Sequence, residues 1–184
     1  MPAVRPLTDT TLRATFTDSA LPAGHHQRLR ELGVDVANAA VVSHSPGPRP
    51  LVSVAVVPFT ATAITANSHG SVHGGNVAWL VDTVTSMHLA ALIGSRRHVS
   101  IGLNVTYLKP VPVGLRCVIE SRVVRVGRTA AFLEADIRMA AAGSHREHTC
   151  ATGQHTKMLL ESAPTTTTAA TKSTNSNNVA RSKL

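Results

Sequence analysis

Residues 67–94 read NSHGSVHGGNVAWLVDTVTSMHLAALIG, and the fold follows from how this stretch changes character part-way along. It opens as a polar, glycine-rich loop (Asn67, Ser68, His69, Gly70, Ser71, His73, Gly74, Gly75) and runs without punctuation into an apolar segment carrying one acid, Asp82. From Asn76 to Ile93 the residues Val77, Leu80, Val81, Val84, Met87, Leu89, Leu92 and Ile93, with Ala78 and Ala91, surround nearly the whole circumference of a helix. Such a helix is expected to be buried rather than to lie on a surface. About 18 residues at 1.5 Å each give roughly 27 Å, enough to cross the face of a sheet. Gly74 and Gly75 put N–H groups at the helix start, where they have no intrahelical partner and the dipole is positive. That terminus suits a polarised carbonyl or a developing oxyanion.

Working outward, Val34 to Ser43 and Leu51 to Val57 are β-branched runs separated by HSPGPRP at 44–50, which reads as a hairpin turn. Beyond Gly94 four more strand candidates follow, Val99 to Leu108, Leu115 to Val126, Thr129 to Ala140 and His145 to Leu159, divided by turns at 110–114, 126–128 and 142–144. Ser19 to Leu32 predicts a short helix ending at Gly33, and residues 1–18 read as a loose arm. The connection from Pro58 to Val72 is long and polar, as functional loops tend to be. A lone helix that is apolar all round needs a concave sheet to cover it. Residues 19–160 are therefore expected to form an α+β domain, an antiparallel six-stranded sheet wrapped around one central helix, which is the hotdog architecture.

Composition narrows the partners. Eighteen Lys and Arg against ten Asp and Glu leave a formal charge of +8, which would fit nucleic acid, an anionic membrane or a phosphorylated small molecule. Aromatics at 3% argue against base-stacking platforms, and the basic residues stand singly between apolar ones, so nucleic acid is disfavoured. We find no run of about 18 apolar residues to span a bilayer and no secretory h-region at the N-terminus. Cys117 and Cys150 sit in apolar runs without CxxC spacing, which argues for a reducing compartment and against zinc. His145 and His148 would face opposite sides of a strand, and His69 and His73 lack acidic neighbours, so neither a metal nor a cofactor is expected. The sequence ends in Ser182-Lys183-Leu184, the tripeptide read by the peroxisomal import receptor, behind a Thr/Asn/Ser-rich stretch. Residues 161–184 are thus expected to be a disordered tail presenting an address, in the peroxisomal matrix or a related organelle such as the glycosome.

The spaced pattern Asn67-x5-His73-Gly74-Gly75-x6-Asp82, then 100–110 (SIGLNVTYLKP) and 127–132 (GRTAAF), resembles the hotdog-fold acyl-CoA thioesterases, the phenylacetyl-CoA thioesterase type among them. The likeness covers roughly Val34 to Met158. It implies hydrolysis of an acyl-CoA thioester to free CoA and a carboxylic acid, in lipid metabolism. By the same resemblance Asp82 is the general base or nucleophile, and the Gly74 N–H polarises the thioester carbonyl. Asn67 and His73 position the thioester, and Ser100 helps place the attacking water. Coenzyme A would run along Tyr107, Lys109 and Pro110 and the turn Arg125, Gly127, Arg128 and Thr129. The family's sites form between subunits of a dimer, so a homo-oligomer, a dimer of dimers, is implied. Met158 after His155-Thr156-Lys157, where relatives carry a second basic residue, and extra length between Ala140 and His148 depart from the pattern.

The residues by themselves leave alternatives. An ionised carboxylate between Val81 and Val84 is costly unless partnered or used, so Asp82 is either catalytic or bonded to a neighbouring strand for structural reasons. His73 either positions a substrate or caps the helix, and His88 belongs to a core or an interface. Lys109, Arg125 and Arg128 are phosphate ligands or ordinary turn charges. A non-catalytic acyl-CoA-binding module and a hotdog hydratase or dehydratase are the rival functions.

Overall fold

The computed structural model describes residues 7–44, 53–94, 96–140 and 147–160. Residues 45–50 of the expected turn, 51–52 of the expected second strand, 141–146 with the turn expected at 142–144, and the expected tail 161–184 with Ser182-Lys183-Leu184 lie outside the described residues.

Six strands, β1 (Ala40–His44), β2 (Ser53–Phe59), β3 (His98–Tyr107), β4 (Cys117–Val126), β5 (Ala130–Ala140) and β6 (Glu147–Leu159), form one sheet in the order β1-β2-β4-β5-β6-β3. Every neighbouring pair is antiparallel. Along β6 the residues Ala151, Gly153, His155, Lys157 and Leu159 are buried, while Thr152, Gln154, Thr156 and Met158 alternate with them on the outer face. The buried face closes around the helix α3 (Gly74–Ile93), whose Val77, Leu80, Val81, Val84, Leu89 and Leu92 are almost wholly covered. Helix and sheet lie close together at Gly153, where an added Cβ would lie 2.5 Å from Val81 Cγ1. By length and composition α3 is apolar enough to cross a bilayer, contrary to the expectation that no such run exists, but 67% of that window is buried inside the protein. The hotdog architecture is as the sequence predicts.

The N-terminus differs. Residues 9–16 are not a loose arm but a helix, α1 (Asp9–Phe16), with the Thr8 side chain accepting from the Thr11 N–H as its cap. Leu12 and Phe16, one turn apart, are buried against the core. Asp9 accepts from the Val41 N–H at 2.8 Å, tying the helix to β1. The short helix expected over 19–32 is present as α2 (Ala23–Glu31), beginning behind Pro22 rather than at Ser19. The run from Val34 is a strand only from Ala40. Asp35 accepts from the Asn38 N–H and caps a single turn over Val36–Asn38, because an Asp ahead of Val-Ala-Asn offers the backbone a local partner.

Candidate active site

The loop ahead of α3 is built by its own side chains. Asn67 Oδ1 accepts from the His69 N–H at 2.9 Å and the Ser71 N–H at 3.2 Å, folding residues 67–71 into a closed turn, with Gly70 at φ +77°. Asn67 is therefore committed to the loop in this protomer. The Val72 N–H bonds Val111 O and the His73 N–H bonds Thr65 O, so the loop delivers the helix start to a fixed place. His73 is the cap: its Nδ1 accepts from the Gly75 N–H at 3.0 Å. Of the two glycine donors anticipated there, Gly75 is thus occupied, while the Gly74 N–H has no hydrogen-bond partner among the described residues. Tyr107, from the end of β3, lies across this terminus, its hydroxyl donating to Gly74 O at 3.0 Å. A Cβ at residue 74 would sit 3.4 Å from the Tyr107 ring, which leaves little room there for a side chain.

Eight residues along α3, at about 1.5 Å each, Asp82 lies roughly 12 Å from Gly74. Its side chain is 41% exposed, so it is not the buried carboxylate that the apolar helix suggested. Asp82 lies beside β3, one of the sheet's two edge strands, whose own residues are largely exposed. Around Asp82 Oδ1 gather Ser86 Oγ at 3.2 Å, Ser100 Oγ at 3.3 Å, His155 Nε2 at 3.4 Å and Lys157 Nζ at 3.4 Å. Ser100 is itself 2.8 Å from Lys157 Nζ and 3.0 Å from His155 Nε2. His155 Nδ1 meets Thr85 Oγ1 at 2.6 Å.

The titratable groups here feel burial first. Burial, then the Lys157 charge, pushes His155 down to about 4 against the pull of Asp82, and the same forces hold His98 at about 4. Burial lowers the Lys157 ammonium, opposed by Asp82. His25 of α2, tilted on the Trp79 indole with ring centroids 5.3 Å apart, is lowered by burial and by His26, and also senses Asp82. At neutral pH the imidazoles of the cluster are neutral.

The remaining expected residues fall in two places. Lys109 and Pro110 follow Tyr107 at one end of the sheet, whereas Arg125 near the end of β4 and Gly127, Arg128 and Thr129 of the β4–β5 turn lie at the other, as the pairings Tyr107–Ala151 and Ala130–Met158 require. The two groups are a strand length apart, roughly 30 Å at about 3.3 Å per residue. One protomer does not gather them. Lys109, Pro110, Arg125, Arg128 and Thr129 are exposed. A concavity on the outer face of the sheet, lined by Asn104, Thr106, Arg122, Glu134, Asp136 and Gln154 among others, is separated from the Asp82 cluster by the sheet itself. Among the described residues no group of His, Cys, Asp or Glu could hold a metal ion.

Sequence reasoning missed His155 and Lys157 as parts of this cluster. The signal was available: with alternation along β6, both fall on the buried side beside Ala151 and Leu159, and a buried lysine demands a partner.

Residues 69–144 match the family model of the Thioesterase superfamily. Over those residues the chain is similar to that superfamily. Acyl-coenzyme A thioesterase 13 of Homo sapiens is 37% identical over 93 residues, 50% of this chain and 64% of that protein, and the Mus musculus protein of that name is 34% identical over 93 residues. The matched stretch thus spans less than two thirds of these curated relatives. Among solved structures, zebrafish thioesterase superfamily member 2 superposes with a TM-score of 0.61 at 25% identity, covering 84% of this chain and 99% of that one. The Escherichia coli PaaI protein from the phenylacetic acid degradation operon, at 19% identity and a TM-score of 0.61 over 85% of this chain and 97% of that one, shares the hotdog fold.

Proposed function

We propose that this hotdog domain hydrolyses acyl-CoA thioesters to free CoA and a carboxylic acid. The observation that carries this reading is the pairing of a solvent-accessible Asp82, held by Lys157, with a Gly74 N–H at a helix start that has no partner among the described residues. Acting as general base, Asp82 takes a proton from water as the oxygen adds to the thioester carbonyl carbon. The carbonyl oxygen gains charge against the Gly74 N–H, the C–S bond breaks, and the CoA thiolate takes up a proton. Acting as nucleophile, Asp82 would instead form an acyl anhydride that water opens. A structural role alone would not leave the carboxylate 41% exposed beside a buried ammonium.

Gly74 and Asp82 of one protomer are roughly 12 Å apart, too far to serve one carbonyl. A second copy that pairs along β3 would set Gly74 of one protomer near Asp82 of the other. Its edge is suited to this, for Val99, Ile101, Leu103 and Tyr107 are all exposed large side chains on a strand whose outer side has no partner strand among the described residues. The same pairing would bring basic residues from both sheet ends toward one CoA.

Free-thiol release from a panel of acetyl- to palmitoyl-CoA and phenylacetyl-CoA tests the reading. Asp82→Asn is expected to lower turnover at least about a hundredfold, the scale of a lost general base. If the variant stays within about threefold of wild type, Asp82 is not the catalytic group. If wild type binds acyl-CoA without releasing thiol, the binding-module alternative stands.

A further inference from the structure

The hydrogen bonds around Ser100 can be given a direction one at a time. Thr85 Oγ1 lies 2.7 Å from Val81 O. A carbonyl only accepts, so the single Thr85 proton points at it, and His155 Nδ1 at 2.6 Å must donate to the hydroxyl oxygen. The ring is neutral, because burial holds it at about 4, so Nε2 carries the lone pair. The Ser100 hydroxyl proton therefore goes to His155 Nε2 at 3.0 Å, and Ser100 Oγ is left to accept from Lys157 Nζ at 2.8 Å. Ser86 has spent its proton likewise, on Asp82 O at 2.6 Å.

One donor then remains for Asp82 Oδ1 among the described residues: Lys157 Nζ at 3.4 Å. Every described contact to the carboxylate is made by Oδ1, and none by Oδ2. Lys157 is 4% exposed, and a buried ammonium is tolerated only with partners such as these.

We propose that Lys157 is a positioning residue for the hydrolysis, holding Asp82 Oδ1 and Ser100 Oγ in one arrangement so that Asp82 Oδ2 is the atom that takes the proton from water. The inference rests on the acyl-CoA hydrolysis proposed above. Lys157 acts through Asp82 and needs no contact with the substrate, so its loss affects the chemical step more than binding. Its charge is the switchable part. Asp82 on α3, His155 on β6, His98 on β3 and His25 on α2 face the same space, and the three imidazoles are neutral throughout the alkaline range. Deprotonation of Lys157, brought below the ordinary lysine value of 10.5 by burial, would release the carboxylate and lower turnover at alkaline pH.

The experiment compares kcat and KM of wild type, Lys157→Met and Lys157→Arg between about pH 7 and 10, by free-thiol release corrected for uncatalysed hydrolysis, on the acyl-CoA that wild type turns over fastest. Loss of one charge-assisted contact predicts a tenfold to about hundredfold fall in kcat for Lys157→Met, with KM within about twofold. Lys157→Arg keeps the charge and is expected to restore most of kcat at neutral pH while abolishing the alkaline fall, because a guanidinium does not titrate there. A Lys157→Met enzyme with wild-type kcat, or an arginine variant with the wild-type alkaline fall, overturns the inference. Should the methionine variant fail to fold, by thermal unfolding, the pH profile of the arginine variant decides alone. Asp82→Asn run alongside separates the two readings: dead Asp82→Asn with fully active Lys157→Met sinks only the positioning role. Active Asp82→Asn, or wild type without turnover, sinks both.

Discussion

Acid should unfold this protein through its buried imidazoles. His88 on α3 is fully buried with Nε2 at 2.9 Å from Ser53 Oγ and Nδ1 at 3.0 Å from Ser121 Oγ, both serines also buried. One nitrogen donates and the other accepts, so a proton added to the ring makes both donors, forces one serine to turn its own hydroxyl proton away and places a charge in the core. Burial, with a smaller push from His44, holds its pKa near 3 in the fold against 6.5 for an ordinary histidine. The unfolded chain takes up its proton near 6.5 and the folded chain only near 3, so stability is fully present above 6.5 and drains as pH falls between those values. Each pH unit in that window costs about 1.4 kcal/mol per histidine, and His155 at about 4 behaves alike. At about pH 4.5 the two together remove roughly 5 kcal/mol, comparable with the whole stability of a small domain. Urea unfolding followed by circular dichroism from about pH 7.5 to 4.5 measures this, with His88→Gln as the comparison. The glutamine keeps polar groups between the two serines but does not titrate. Whatever it loses at neutral pH, its stability should fall less steeply below about pH 6, by about 1.4 kcal/mol per unit. His155 and His98 titrate in both proteins and cancel in the difference. Equal slopes for the two proteins would refute the argument that His88 is held neutral by burial.

Gly153→Ala puts a methyl 2.5 Å from Val81 Cγ1, and the overpacking should cost about 1–3 kcal/mol, lowering Tm by several degrees; an unchanged Tm would mean that α3 does not press on β6 there. Ile101→Lys, at a residue 59% exposed on the β3 edge, should turn an oligomer into monomers by light scattering and depress thiol release with it. An unaltered mass would show that copies pair elsewhere.

Much of the fold was legible because periodicity and punctuation report on it directly. The all-round apolar run of α3 demanded a surrounding sheet, and the turn residues divided the strands that supply it. α1 was not legible, because Leu12 and Phe16 are only two apolar positions in a polar stretch, and what recruits them is the core they cover. From Val34 to Ala39 the β-branched content reads as strand, but the Asp35 side chain offers the backbone a nearer partner and a helical turn forms instead.

The sequence by itself determined which chemical groups the site holds: a glycine donor at a helix start, one acid on the helix, and a serine on the following strand. Tertiary structure alone decided how they are connected. It spent the Gly75 N–H on His73 and left that of Gly74 without a partner among the described residues, and it turned the inward face of β6 so that His155 and Lys157 meet Asp82 from 73 and 75 positions away in the chain. The physical reason is that a helix repeat and a strand alternation can each be read locally. Which buried lysine meets which carboxylate depends on the register of β6 against β3 and on the close approach of Gly153 to Val81.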